Sequence, residues 1–425
     1  MRRLAVLALS LGTFVAVRAA EPAPTPSPSA EHTIETETEA GAADAWEAPR
    51  RRKMVSWNEY DGPISTLRFG GGFLFDFATY SQDRQSEAQL DMPADVGFRD
   101  VRLLLRGRFK TKRPITWSFG YMYDGVEKDW LVRQSGVQVG FPEIGGNLFI
   151  GRTKEGFSMV KVMVGYHGWG MERPTMLEFV PILADGLKWS GYHPKAHVFY
   201  QAGLYGDELS EDQKFSTYDH QAVIRFGGLP ILSEENKSVL EVAVQGRYAQ
   251  PDEHMLQVRA RPEANLAPYA LDTGKFAADR VLTTGIEAYY RRGPWLAGFE
   301  YDRQRVDTPG EEQPELWGYS AVVAWNITGE TRPYNAAGGY FGGISPDRPA
   351  FSGGFGGWEA VLHFSYSDFD SGAIQGGKFW KLTPMLNWHV SDNMRVEFGY
   401  GYGLLDRFDL EGRTHFWQAR IQLTI

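Results

Sequence analysis

The sequence predicts an all-β fold, a transmembrane antiparallel β-barrel of about 16 strands. Three observations carry that expectation. Alternation of apolar and polar residues with period 2 recurs from residue 66 to the last residue. Glycine is abundant, 48 of 425 residues, against a usual share of ~7%, and aromatics make up 14% of the chain. No apolar run of the ~18 residues needed by a spanning helix follows the N-terminus, which excludes a helical bundle. A mean hydropathy of −0.36 leaves a barrel open, because its lipid and lumen faces average out.

The N-terminus reads as targeting sequence. Met1-Arg2-Arg3 is a basic start, Leu4 to Val17 is apolar, and Val17-Arg18-Ala19 places small residues for cleavage after Ala19. Residues 1–19 are therefore expected to be a signal peptide. Residues 20–60 read as a disordered acidic, Pro-rich leader. Its 21–47 stretch holds seven acidic residues and no basic one, too polar to bury a core. The cluster Arg50, Arg51, Arg52 and Lys53 reads as a solvated segment before the first strand, the alternative being a lipid or peptidoglycan contact. Residues 61–425 are expected to form the barrel.

Cysteine is absent, which removes disulfides, thiolate metal sites and thiol catalysis. Export without cysteine points to the envelope of a Gram-negative bacterium. The signal carries +3 and the leader about −7 by formal count, so the net −9 leaves residues 48–425 near −5. That mild acidity argues against nucleic acid. It does not fix ion selectivity, which a pore's narrowest charges decide.

Alternation divides the rest into strands near 66–80, 97–109, 115–123, 130–141, 146–153, 183–192, 196–205, 217–228, 238–249, 281–291, 295–305, 316–327, 356–368, 378–390, 393–403 and 414–425. In the second, Val101, Leu103 and Leu105 share one face and Arg102, Arg106 and Arg108 the other. In the ninth, Leu240, Val242, Val244 and Tyr248 alternate with Glu241, Ala243, Gln245 and Arg247. Aromatics near strand ends suit an interfacial girdle, and Arg, Glu and Gln opposite suit a wet lumen. The short links 110–114, 142–145, 291–294 and 391–392 read as periplasmic turns, and 155–182, 250–280 and 328–355 as outside loops.

Several stretches resemble the phosphate-selective porin O and P family: FRDVRLLLRGRF at 98–109, GNLFIGRTKEGFS at 146–158, MERPTMLEFVPILADGLKWSG at 171–191, DTGKFAADR at 272–280, NITGETRPY at 326–334, GGWEAVLHFSYSDFD at 356–370 and LNWHVSDNMRVEFGY at 386–400. The resemblance implies a trimeric outer-membrane porin of 16 strands whose third loop, here about 155–182, folds into the lumen. It implies passive diffusion of small anions, phosphate or polyphosphate foremost, among outer-membrane lipid and lipopolysaccharide, with no cofactor. Two departures stand out. The loop segment FSMVKVMVGYHGWGMERP lacks the Ser-rich start of many relatives, and Ile425 stands where such barrels usually end in Phe or Trp.

Arg102, Arg106 and Arg108 form a ladder with steps of ~13 Å and ~7 Å, and Arg suits phosphate because its fork donates in one plane. The alternative is that they pair with lumen carboxylates such as Asp76 or Glu359. Lys154 and Lys161 flank the start of the inward loop, with Arg152 at the end of strand five, and the two lysines would line its constriction and attract anions; the alternative is an exposed basic loop. Glu172 and Arg173 read as an ion pair tying the loop to the wall. Arg332 and Tyr334 read as ordering an external loop.

Other functions find less support. Asp76, Glu241, Glu287, Glu300 and Glu359 keep a weakly selective or cation-preferring porin open, and a plugged structural barrel is a further alternative. The nine His show no metal-ligand spacing, and no nucleophile-elbow or P-loop motif occurs. His193 and His197 are the residues an outer-membrane hydrolase would use. Asp368 and Asp370 read as a solvated hairpin end or a surface calcium contact.

Overall fold

The computed structural model describes residues 53–206, 218–310 and 313–425, so the signal peptide and most of the acidic leader lie outside the described residues. The strands in chain order are β1 (Lys53–Ser56), β2 (Glu59–Asp61), β3 (Thr66–Gln82), β4 (Asp95–Phe109), β5 (Ile115–Asp124), β6 (Asp129–Val132), β7 (Ser135–Phe141), β8 (Gly146–Thr153), β9 (Ala184–His193), β10 (Val198–Gly206), β11 (Tyr218–Ser233) and β12 (Ser238–Pro251). Four two-residue strands follow: β13 (Met255–Leu256), β14 (Arg259–Ala260), β15 (Leu271–Asp272) and β16 (Phe276–Ala277). Then come β17 (Arg280–Arg292), β18 (Trp295–Asp307), β19 (Glu315–Asn326), the short β20 (Tyr334–Asn335) and β21 (Tyr340–Phe341), β22 (Gly357–Ser371), β23 (Ile374–Ser391), β24 (Met394–Arg407) and β25 (Leu410–Thr424).

Successive long strands pair antiparallel. The last, β25, pairs back onto β3 from Thr414↔Gln82 to Thr424↔Gly72. The barrel is thereby closed and, among the described residues, leaves no long edge strand unpaired. Both β6 and β7 pair with β5; they form one wall strand, interrupted at Arg133–Gln134. Counted so, the wall has 16 strands. The hairpin of β1 and β2 adds onto β3; all of it but Asp61 falls in the stretch read as leader.

Burial is inverted relative to a water-soluble protein. Val242, Val244, Ile286, Phe299, Leu362 and Phe398 are exposed, whereas Arg225, Glu241, Arg247, Glu300, Glu359 and Glu397 are fully buried. A wall with an apolar exterior is what lipid requires. Alternation along β4, β12 and β25 falls as the sequence indicates. Trp295 stacks on Trp325 and Trp358 on Trp388, with centroids 5.1 and 5.4 Å apart. These pairs sit toward the end with short turns, as an interfacial girdle does.

In a closed antiparallel wall, links alternate strictly between the two ends. Five links, 110–114, 142–145, 194–197, 234–237 and 392–393, share an end with 293–294 and with both termini. Short turns of such barrels face the periplasm. The long link 327–356 follows the twelfth wall strand and joins this short-turn end. It is therefore periplasmic, which corrects its reading as an outside loop. Length misled there; the parity of the strand count decides. The links 154–183 and 252–279 are at the opposite, external end.

Candidate functional site

The link 154–183 is held by side chains of the buried, polar register of the wall. It opens with a one-turn helix, Met159–Val162, whose N-cap Ser158 accepts from the Lys161 N–H. A helix start leaves backbone donors free, and two wall carboxylates take them. Met159 N–H donates to Glu287 at 2.6 Å and Val160 N–H to Glu300 at 3.2 Å. The Ser158 hydroxyl donates to the other Glu300 oxygen at 2.7 Å. Glu287 and Glu300 face each other as register partners of β17 and β18.

On the opposite side of the barrel, Arg420 of β25 clasps Asp76 of β3 through two 2.6 Å bonds and also binds Glu172 of the link. Arg99 holds Glu172 at 2.7 and 3.0 Å. Burial alone would raise the Glu172 carboxyl, but Arg99 and Arg420 hold it down to about 2. Glu172 thus ties the link to the wall through these two arginines. Arg173 instead donates to the Val160 carbonyl within the link, at 3.2 Å.

Between these anchors lies a cavity of about 40 Å³ lined by Arg99, Arg102, Trp169, Glu172, Arg173 and Arg420. Arg102 contacts Asp100 at 2.5 Å and lies 4.4 Å over the Tyr166 ring, while its buried Nε has no hydrogen-bond partner. A Cβ placed on Gly165 would sit 3.4 Å from an Arg102 nitrogen and 3.8 Å from one of Arg173, so this glycine brings the two guanidinium groups close. Burial, and next the charges of Arg173, Arg133, Arg102 and Lys188, push the Lys154 ammonium well below its ordinary value. Lys154 donates to the Met163 carbonyl, and Lys188 donates to the Lys154 carbonyl at 3.1 Å. One quadrant therefore concentrates positive charge.

Of the six residues expected to guide anions, the structure brings Arg102 and Lys154 into this quadrant. Arg106 and Arg108 continue the Arg102 register toward the short-turn end and are exposed. Arg152 is bound bidentately to Asp185 through two 2.8 Å bonds. Lys161 is buried, its ammonium on the Val180 carbonyl; burial first of all lowers it to about 8. Asp76 and Glu359 pair with Arg420 and Arg332, not with the Arg102 ladder. The sequence reading missed Arg133 and Lys188, and only the inward register of Lys188 in β9 could have signalled either.

The family model of the phosphate-selective porins O and P matches residues 67–425. The chain belongs to that family. Porin O of Pseudomonas aeruginosa is 22% identical over 284 residues, 60% of this chain and 64% of that protein. A protein of Caulobacter vibrioides is 31% identical over 122 residues, 29% of this chain and 24% of that one. The chain thus spans less than two thirds of either relative. Among solved structures, the anion-selective porin from Comamonas acidovorans superimposes with a TM-score of 0.53 at 12% identity, over 85% of this chain and all of that one. The trimer form of OmpT from Vibrio cholerae gives 0.52 at 12% identity, over 84% and 99%. At such identity these structures show the fold. Family and barrel together make the chain a porin of the Gram-negative outer membrane.

Proposed function

We propose that this porin passes small anions by passive diffusion, with inorganic phosphate or polyphosphate as the favoured solutes, and that it works as a homotrimer. The link 154–183, folded inward, forms the narrowest passage, and anions reach it through the quadrant of Arg102, Arg133, Lys154, Arg173 and Lys188. One observation carries this reading: Arg99, Arg102, Arg173 and Arg420 line one cavity in which Glu172 is the single carboxylate, so the local field favours an entering anion. Beyond it, Arg106 and Arg108 continue the register toward the periplasm as exposed residues. Transit requires binding that is favourable at entry and weak enough for exit. The anion selectivity of the Comamonas porin and the trimeric form of OmpT support the anion and trimer readings by analogy.

A cation-preferring pore draws less support, because its acidic side is already engaged. Glu287 and Glu300 hold the helix start of the link, and Glu241 and Glu287 share Arg225 at 2.6 Å each. The decisive test is single-channel recording in a KCl gradient, followed by titration with phosphate. An anion-side reversal potential, with block relieved by Lys154→Gln or Arg102→Gln, is the expected result. A reversal potential at zero or on the cation side, without block, refutes the anion reading.

A further inference from the structure

The periplasmic link 327–356 runs for 30 residues, whereas its six companions at that end have two to five. Its interior contacts are with the buried register of the wall. Arg225 donates to the Gly339 carbonyl at 2.7 Å, Gln201 to that of Gly338 at 2.8 Å, and Arg291 to that of Arg332 at 2.7 Å. Arg332 itself is almost fully buried. One of its terminal nitrogens binds Glu359 of β22 at 2.7 Å. The other donates to two carbonyls, that of Gly342 at 2.9 Å within its own link and that of His167 at 2.7 Å in the link 154–183. Two segments that enter from opposite ends of the barrel are thus joined by one guanidinium.

The join belongs to a larger cradle. Three consecutive carbonyls of the external link are each held by a different side chain. Arg332 takes His167, Arg395 of β24 takes Gly168 at 2.6 Å, and Asn387 of β23 takes Trp169 at 2.9 Å. Glu359 sits behind the cradle and accepts from both Arg332 and Asn387. Trp169 lines the cationic cavity, and Glu172 and Arg173 follow it four residues or fewer along the chain. A shift at 167–169 therefore moves the cavity wall.

We propose that Arg332 is a positioning residue for the passage: through it, the periplasmic link 327–356 sets where residues 167–169 of the external link stand. The narrow site is then built from both ends of the barrel. Arginine suits this because its fork binds a carboxylate with one arm and carbonyls with the other; the single ammonium of lysine cannot span both. The inference rests on the anion-passage reading, but its structural half stands on conductance alone.

The test is Arg332→Ala in planar bilayers, with inorganic phosphate as the blocking ion. Removing the join loosens the narrow segment, so conductance should rise about twofold or more and half-block should need about tenfold more phosphate. Arg332→Lys, which keeps a charge beside Glu359, should show the same direction with a smaller change. Because the chain has no cysteine, a disulfide can replace the join cleanly. A Cβ on Gly343 would lie 2.9 Å from His167 Cδ2 and 3.2 Å from its Cγ, within reach of the ~3.8 Å Cβ separation of a disulfide. Adding His167→Cys and Gly343→Cys to Arg332→Ala should restore the original conductance when oxidised and release it again on reduction, which a general folding defect would not do. Unchanged conductance and block in both Arg332 variants overturn the proposal, as does a change that the oxidised disulfide leaves in place. A parent channel without anion preference would sink the anion reading alone, and the conductance and disulfide arms would still decide the role of Arg332.

Discussion

Replacing Glu300 by Ala removes the acceptor for three buried donors at once. The Ser158 hydroxyl, the Val160 N–H and the Tyr289 hydroxyl all end on its carboxylate, at 2.7, 3.2 and 2.8 Å. A buried donor left without an acceptor costs about 1–3 kcal/mol. Ser158 and Val160 belong to the link, whereas Tyr289 lies in the wall strand β17. Water admitted by the truncation would satisfy part of the cost, so the lower end, about 2 kcal/mol for the two link donors, is the working figure. That corresponds to roughly a factor of thirty in the population of the undocked link. Hydrogen exchange followed by mass spectrometry in detergent reads it directly: amides 159–163 should exchange about thirtyfold faster, because local opening sets their rate. Amides of β17 and β18 should keep their rates, since their ladder bonds are untouched. Glu300→Gln should stay near the parent, with its carbonyl oxygen in place of Oε1 and its amide facing the Ser158 hydroxyl. Unaltered exchange at 159–163 in the Ala variant, or equal acceleration in the wall, would refute the view that Glu300 specifically docks this link.

Two further outcomes follow from the charge arrangement. Lys154 is held below its ordinary value by burial and by neighbouring cations, so its charge is lost at a lower pH than that of a solvated lysine. Block by sulfate, whose own charge is constant there, should weaken as the pH rises toward 10, and Lys154→Gln should flatten that dependence in single-channel titrations. Arg420→Ala leaves Asp76 buried without its partner at the seam of β3 and β25. Breaking such a pair costs about 3–5 kcal/mol, so the variant should unfold at lower temperature in gel-mobility assays, whereas Asp76→Asn with Arg420→Gln should recover part of the loss.

The wall was legible because its signal repeats. Each strand of the barrel places apolar and polar residues on opposite faces, and β4, β12 and β25 show the pattern without help from neighbours. The site was legible only in part. Arg102 could be placed because it belongs to an alternating strand. Arg133 could not: it sits at the interruption between β6 and β7, where the period breaks. Arg173 was read with Glu172 from adjacency in sequence, yet Glu172 turned to Arg99 and Arg420, which are adjacent only once the barrel closes. Arg332 was assigned to an outside loop on the length of its link. Alternation cannot say which end a link occupies, but counting strands does.

The seam between β3 and β25 also bears on how the protein is made. Asp76 and Arg420 meet across 344 residues, so the first wall strand to leave the ribosome waits for the last. Contacts of that span form late, since the chain must close its longest loop before they reward it. An open sheet in hydrocarbon would leave two rows of unpaired backbone groups facing lipid. Joining the last strand to the first and entering the bilayer are therefore one event. By then the segment carrying Phe157, Met176 and Leu177 and the one carrying Phe341, which pack in one buried cluster, must already be among the strands, because a finished ring offers them no way in from the side. A chain cut before β25 would lose its passage and, with it, any means of shielding the edge of its first strand.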